Sequence, residues 1–215
     1  MDFELSYQDI AIIFFLTLGP LKAILPFARI TRGTEPAFRR GVAWRATAIA
    51  TAIVLAVALL GPILLANWHV SSPAVTITGS IILFYQALRI VMQTPAAMRG
   101  PPEGQTGQPP PTPAIAVFPI AIPAIVTAPG IAAVAVTIVL VRHDIVHDLV
   151  VLAVLLGMML LNLLTLLNVE TILKAAIAGV LPVVGWVLAV LQASLAVQIM
   201  IYSLRVLGVL HWPAS

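Results

Sequence analysis

Few side chains in this sequence can do chemistry, and the first group of them comes as a matched pair of motifs. Thr17, Gly19, Pro20 and Lys22 lie in "FFLTLGPLKAI"; Thr127, Ala128, Pro129 and Gly130 lie in "AIVTAPGIAAV". In both, an apolar run leads to a threonine, then to a proline beside a glycine, then to helix-forming residues. A proline inside a helix costs about 3 kcal/mol, because it removes a donor and crowds the preceding turn. At the first helical position the missing N–H costs nothing and the fixed φ favours helix. Pro20 and Pro129 therefore read as the openings of half-helices. Free N–H groups and a positive dipole end at such a terminus bind anions, a carboxylate among them. The small residues beside each proline would let a solute approach the backbone closely. Lys22 adds a charge inside its apolar run, where an ionisable group is a candidate for function. The competing reading is an ammonium that snorkels to headgroups about 12 Å away.

The second group is amides in apolar surroundings: Gln86, Gln192, Asn162 and Gln198. Hydrogen bonds between helices explain most such residues. Gln86 and Gln192 stand out because they occupy equivalent places in an internal repeat, described below. The third group is "HDIVH", residues 143–147, which imitates a zinc-hydrolase motif with two histidines four residues apart. Its acidic residue, Asp144, is a methylene short for the general base, and the stretch is a short polar connection. A solvated turn is the better reading. No Ser–His–Asp constellation and no phosphate-binding glycine loop accompanies it, so no enzyme activity and no cofactor are expected.

The elements that must position these groups are membrane spans. Of 215 residues, 61% are hydrophobic and 9% charged; a soluble domain averages about 25% charged. So little charge cannot cover a soluble surface. Spans of about 20 apolar residues fall at roughly 9–28, 41–66, 72–93, 114–141, 149–168 and 181–208. Residues 94–113, rich in Pro, Gly and Gln, read as a solvated linker, and "VETILKAAIAGV" as an ambiguous, interfacial stretch. The acidic start, "MDFELSYQDI", lacks a basic n-region, so no signal cleavage is expected. Zero cysteines exclude disulfides and thiolate sites. The basic residues sit in short loops without aromatic company, which argues against nucleic acid.

Arginines set the orientation. Arg29, Arg32, Arg39, Arg40 and Arg45 crowd the first loop, Arg89 and Arg99 flank the third, and Lys174 lies in the fifth. The opposite side holds Arg142 and Arg205 beside Asp2, Glu4, Asp9, Asp144 and Asp148. Odd loops are therefore expected in the cytoplasm and both termini outside. The repeat appears in the spacing. Thr17 precedes Gly79 by 62 residues and Thr127 precedes Gly185 by 58; Gln86 and Gln192 each follow their glycine by seven. Two units of three spans, 1–93 and 114–215, must insert with opposite orientation. That is the inverted-repeat plan of many secondary transporters.

The segments "LGPLKAILPFARITRG" and "FPIAIPAIVTAPGIAAV" resemble the two signature segments of the MarC family of membrane proteins. The resemblance covers essentially the whole chain, including "ITGSIILFYQALRIVM" and the long linker. It implies a bacterial inner-membrane protein, and some members transport small neutral amino acids such as glycine and alanine. Many members have Asn-Pro where this chain has Gly19-Pro20, and Gly-Pro-Gly where it has Ala128-Pro129-Gly130.

The combined expectation is an all-α integral membrane protein of six transmembrane helices, arranged as two inverted three-helix repeats with the first and fourth helices broken. Its function would be secondary transport of a small neutral amino acid or similar zwitterion. Thr17, Gly19, Pro20, Lys22, Thr127, Ala128, Pro129, Gly130, Gln86 and Gln192 would form the site. No carboxylate lies well inside a span, so Na⁺, protons by another route, or facilitated diffusion are all open as the energy source. A non-transporting membrane partner or assembly factor is the principal alternative, and a metal-dependent intramembrane hydrolase a remote one.

Overall fold

The structure, a computed structural model, describes residues 6–92, 113–141, 145–174 and 180–210. It is helical throughout the described residues. The first span is α1 (Tyr7–Leu18) followed by α2 (Leu21–Ile30). Then come α3 (Pro36–Asn67) and α4 (Ser72–Met92). Beyond the linker, Pro113–Ala116 forms a 3-10 turn and Val117–Ile125 a wide, irregular coil. The chain continues with α5 (Ala128–Leu140), α6 (Ile145–Leu167), α7 (Val169–Lys174) and α8 (Val180–Val206). Among the described residues, five helical stretches are long and apolar enough to cross a membrane, and six if 114–125 and 128–140 together make one bent span.

Each interruption has a local cause. In the coil, Phe118 (φ −132°, ψ 125°) and Ile122 (φ −127°, ψ 123°) are extended. Each precedes a proline, whose ring disfavours the helical region for the residue before it. The two pieces of this span meet at 57°. In the first span, Gly19 is extended (φ −72°, ψ 169°), and Pro20 is the N-cap of α2, one place before the first helical position that the sequence suggests. Its halves stay aligned enough to pass as one 24-residue span.

The core joins α1, α2, α3, the coil, α5 and α6 through Phe14, Leu18, Phe27, Ile120, Ile125 and Leu155, all fully buried. α4 packs most closely on α8 and then on α5, and α4 and α8 reach the same core through Leu83, Ala196 and Ile199. Some contacts come in matched pairs. α1 lies on α6 as the coil lies on α3, and α1 lies on α5 as the coil lies on α2. Other pairs are unmatched: α4 lies close on α5, whereas α8 makes almost no contact with α2, and α1 touches α8, whereas the coil makes almost no contact with α4.

Polar contacts sort the ends of the bundle. Arg39, at the start of α3, is ion-paired with Glu170 of α7, so the first loop and the α6–α8 connection share one end. Tyr7 and His147 stack with ring centroids 5.7 Å apart, which puts the start of α1 beside the start of α6. The stretch read as interfacial is helical at Val169–Lys174; residues 175–179, within it, lie outside the described residues. Cysteines placed at Asp148 and Gly33, both exposed, test the sidedness. Asp148→Cys should react with an impermeant thiol reagent in sealed cells and Gly33→Cys should not. The reverse pattern would invert the topology.

Candidate functional site

Breaking a helix inside a membrane frees backbone groups that lipid cannot satisfy, so partners must come from protein or water. At Gly19-Pro20 two carbonyls find side chains from the other half of the chain. Thr127 Oγ1 donates to the Thr17 carbonyl at 3.1 Å, and Asn162 Nδ2 donates to the Leu18 carbonyl at 2.7 Å. Asn162, fully buried on α6, also donates to the Met158 carbonyl of its own helix at 3.0 Å. The Thr17 hydroxyl turns back to the Ile13 carbonyl at 2.7 Å, so its backbone, rather than its side chain, meets the second break.

The second break is capped. Thr127 is extended (φ −110°, ψ 155°), and its Oγ1 accepts from the Gly130 N–H at 3.0 Å. A threonine N-cap accepting from the third helical residue satisfies one of the orphan donors at a helix start. Thr127 thus serves both breaks with one hydroxyl, accepting from its own helix and donating to the first span. Helix α5 begins at Ala128, so Pro129 is its second residue, one place later than the sequence suggests. At α2 the Ala23 and Ile24 N–H groups return to the Pro20 carbonyl, at 3.0 and 3.1 Å, and no side chain caps the helix.

The glycines at both breaks are covered by protein. A Cβ on Gly19 would lie 1.9 Å from the Phe15 carbonyl oxygen, and one on Gly130 would lie 2.5 Å from Leu18 Cδ2. The smallness of Gly19 lets its own span turn past the Phe15 carbonyl, and that of Gly130 lets the second break approach Leu18 of the first span. Ala128 is exposed and Pro129 half-buried. Lys22 is half-buried on α2 and has no hydrogen-bond or ion-pair partner among the described residues.

The amides form a neighbouring layer. Gln192 Nε2 donates to the Leu83 carbonyl of α4 at 2.9 Å, leaving its Oε1 unpaired. Gln86, one turn along α4, is 8% exposed, yet neither its Oε1 nor its Nε2 has a partner among the described residues. Buried polar groups are nearly always paired, so such an exception calls for an explanation. Helices α4 and α5 are antiparallel, with Gly79 against Val136 and Ala132 and with Thr76 near Val139. At 1.5 Å per residue, Gln86 lies about 10.5 Å from Gly79, and the start of α5 about 12 Å from Val136. Gln86 therefore sits at the depth of the second break.

Of the residues singled out in the sequence, Thr17, Thr127 and Gly130 come together directly, with Gln86 and Gln192 in the adjoining layer. Gln198 is exposed and stands apart. In the sequence Asn162 is only a polar residue in an apolar span; in the structure it supports the first break. Its signal was that same incongruity, but nothing local points to a carbonyl 144 residues away. His143 and Asp144 lie outside the described residues.

A family model described as MarC family integral membrane protein matches residues 5–207, nearly the whole chain. No curated protein and no solved structure matches.

Proposed function

The chain belongs to the MarC family of integral membrane proteins, and from that premise we propose that it is an inner-membrane secondary transporter of a small neutral amino acid or similar small zwitterion. The observation that carries the reading is the set of unpaired amide atoms on Gln86 and Gln192 at the depth of the interrupted spans. A buried amide without partners costs about 1–3 kcal/mol. A polar solute arriving there would relieve that cost. Gln86 offers one acceptor and two donors, suited to an ammonium on one side and a carboxylate on the other. The start of α2, where no side chain caps the helix, supplies further N–H groups for the carboxylate, and both helix starts supply positive dipole ends.

We read the chain as two inverted repeats of three helices, with α2 and α5 as the mobile half-helices. The matched contact pairs support the repeat, and the close approach of α4 to α5 beside the separation of α2 from α8 supports a conformation closed on one side. There α5 lies on α4 while α2 stands off α8, where a Cβ on Gly185 would meet nothing within 4 Å. In the alternate conformation α2 would close toward Gly185 as α5 leaves Gly79. Both termini would lie outside the cytoplasm. Na⁺ or H⁺ is the coupling ion if transport is driven.

Gln86→Leu gives a direct test, because it separates binding from folding. Replacing an amide that makes no protein hydrogen bond with an apolar side chain should leave thermal stability unchanged or raise it. Glycine and alanine should raise the melting temperature of the parent protein, since a ligand of the folded state stabilises it. In Gln86→Leu that shift should require about tenfold more solute, and uptake into liposomes should fall in step. Parental uptake by a well-folded Gln86→Leu variant would remove the amide layer from the site. A parent protein that moves no amino acid yet copurifies with one partner would favour the assembly-factor reading.

A further inference from the structure

At the bundle end that carries Ser72 and Leu140, α4, α5 and α8 leave a cleft of about 110 Å³. Ser72, Val139, Leu140 and Tyr202 contribute to its walls, and the buried hydroxyls of Thr76 and Ser203 lie on its floor. Ser203 Oγ lies 2.6 Å from Thr76 Oγ1 and 2.9 Å from the Ile199 carbonyl. Thr76 Oγ1 is in turn 3.1 and 3.0 Å from the Ser72 and Pro73 carbonyls. Each hydroxyl has one proton, and these acceptors take up both. The floor therefore presents lone pairs, which suit water or the N–H groups of a small polar solute.

One turn deeper, α5 closes the seam. A Cβ on Gly79 would lie 2.0 Å from Val136 Cγ2 and 3.6 Å from the Ala132 carbonyl oxygen, so Val136 fills the notch that Gly79 leaves. Another turn on lies Leu83, whose carbonyl receives Gln192, and then Gln86 with its unpaired amide. The order along the seam is polar cleft, apolar contact, unpaired amides. Small residues at a membrane-helix interface ordinarily let backbones approach. That accounts for Gly79 but for neither the cleft above it nor the unpaired atoms below it.

We propose that the cleft is the outer vestibule of the solute path, and that Val136 seated in the Gly79 notch is the plug between it and the Gln86–Gln192 layer. The proposal rests on the transporter reading for what passes, but the access of water-soluble reagents to the vestibule is independent of it. The chain has no cysteine, so single-cysteine variants report that access cleanly. A small impermeant methanethiosulfonate, applied from the face that carries Asp148, should modify Val139→Cys rapidly and Leu83→Cys slowly. Adding Val136→Ala to Leu83→Cys removes the plug's branch and should speed that modification roughly tenfold. Val136→Thr, which keeps the shape but wets the plug, should act in the same direction and serves if the alanine variant is not monodisperse. Modification of Val139→Cys should also block glycine uptake. Val139→Cys inert to the reagent from both faces would overturn the vestibule. A Leu83→Cys rate indifferent to both Val136 substitutions would overturn the plug. If glycine is not transported even by unmodified protein, the transporter reading fails while the access pattern still decides the vestibule and plug.

Discussion

Replacing Gly19 with alanine will cost the folded protein about 3 kcal/mol or more, at the upper end of what overpacking does. The backbone angles at Gly19 suit any residue, so conformational strain is not the cause. The added Cβ would lie 1.9 Å from the Phe15 carbonyl oxygen and 2.8 Å from its carbon. Both are main-chain atoms of α1, and main chain cannot swing aside as a side-chain tip can. The helix end or Pro20 must move, which strains the Thr127 and Asn162 hydrogen bonds to the neighbouring carbonyls. Gly79→Ala should be milder, because its nearest obstacle is a methyl of Val136. Gly157→Ala is the control. Gly157 is exposed on α6 with nothing within 4 Å of the new carbon, so alanine there gains up to about 1 kcal/mol of helix propensity. Melting temperatures in one detergent rank the three. A Gly19→Ala protein as stable as the Gly157→Ala control would mean that the first break does not hold this geometry.

That ranking means that a loss of transport on enlarging a glycine at either break reports packing before it reports solute access. The sequence suggests that small residues beside Pro20 and Pro129 leave room for a solute. In the structure Phe15 and Leu18 occupy that room. The spans themselves were legible, because about 20 apolar residues between polar punctuation leave little choice of element. The positions of Pro20 and Pro129 at helix starts were legible too, since the constraint on proline is local. The irregular coil at 117–125 was hidden inside an apolar run that reads as ordinary span. Its cause, a proline fixing the residue before it at Phe118 and again at Ile122, is local and was available in the sequence. The role of Asn162 was not available. The carbonyl it supports becomes unpaired only because of a break elsewhere in the chain, and only packing brings them together. The closure of Gly79 by Val136, with no equivalent at Gly185, likewise belongs to one conformation of the chain and leaves no mark on the sequence.

The hydroxyl of Thr127 is where the two halves of the chain meet most directly, and its removal is the second large effect expected. Thr127→Val keeps the side chain's shape but takes away the acceptor of the Gly130 N–H and the donor to the Thr17 carbonyl. Loss of a threonine cap costs about 0.5–2 kcal/mol, and a carbonyl left bare in the bundle about 1–3 kcal/mol. Together they should destabilise the protein by about 1.5–5 kcal/mol. Thr127→Ser retains both bonds and should recover most of this. Asn162→Leu removes the donor to Leu18 and should couple to Thr127→Val in a double-mutant cycle, because both bonds hold the end of one helix. The useful comparison is between stability and transport. If the break is a kink that only shapes the bundle, glycine uptake per folded molecule will be the same in Thr127→Val and Thr127→Ser. If the start of α5 holds the solute, uptake per folded molecule will fall in the valine variant, because the helix end that Thr127 caps shifts away from the place where it meets the solute. Equal stability of Thr127→Val and the parent protein would show that the two breaks are not joined through this hydroxyl.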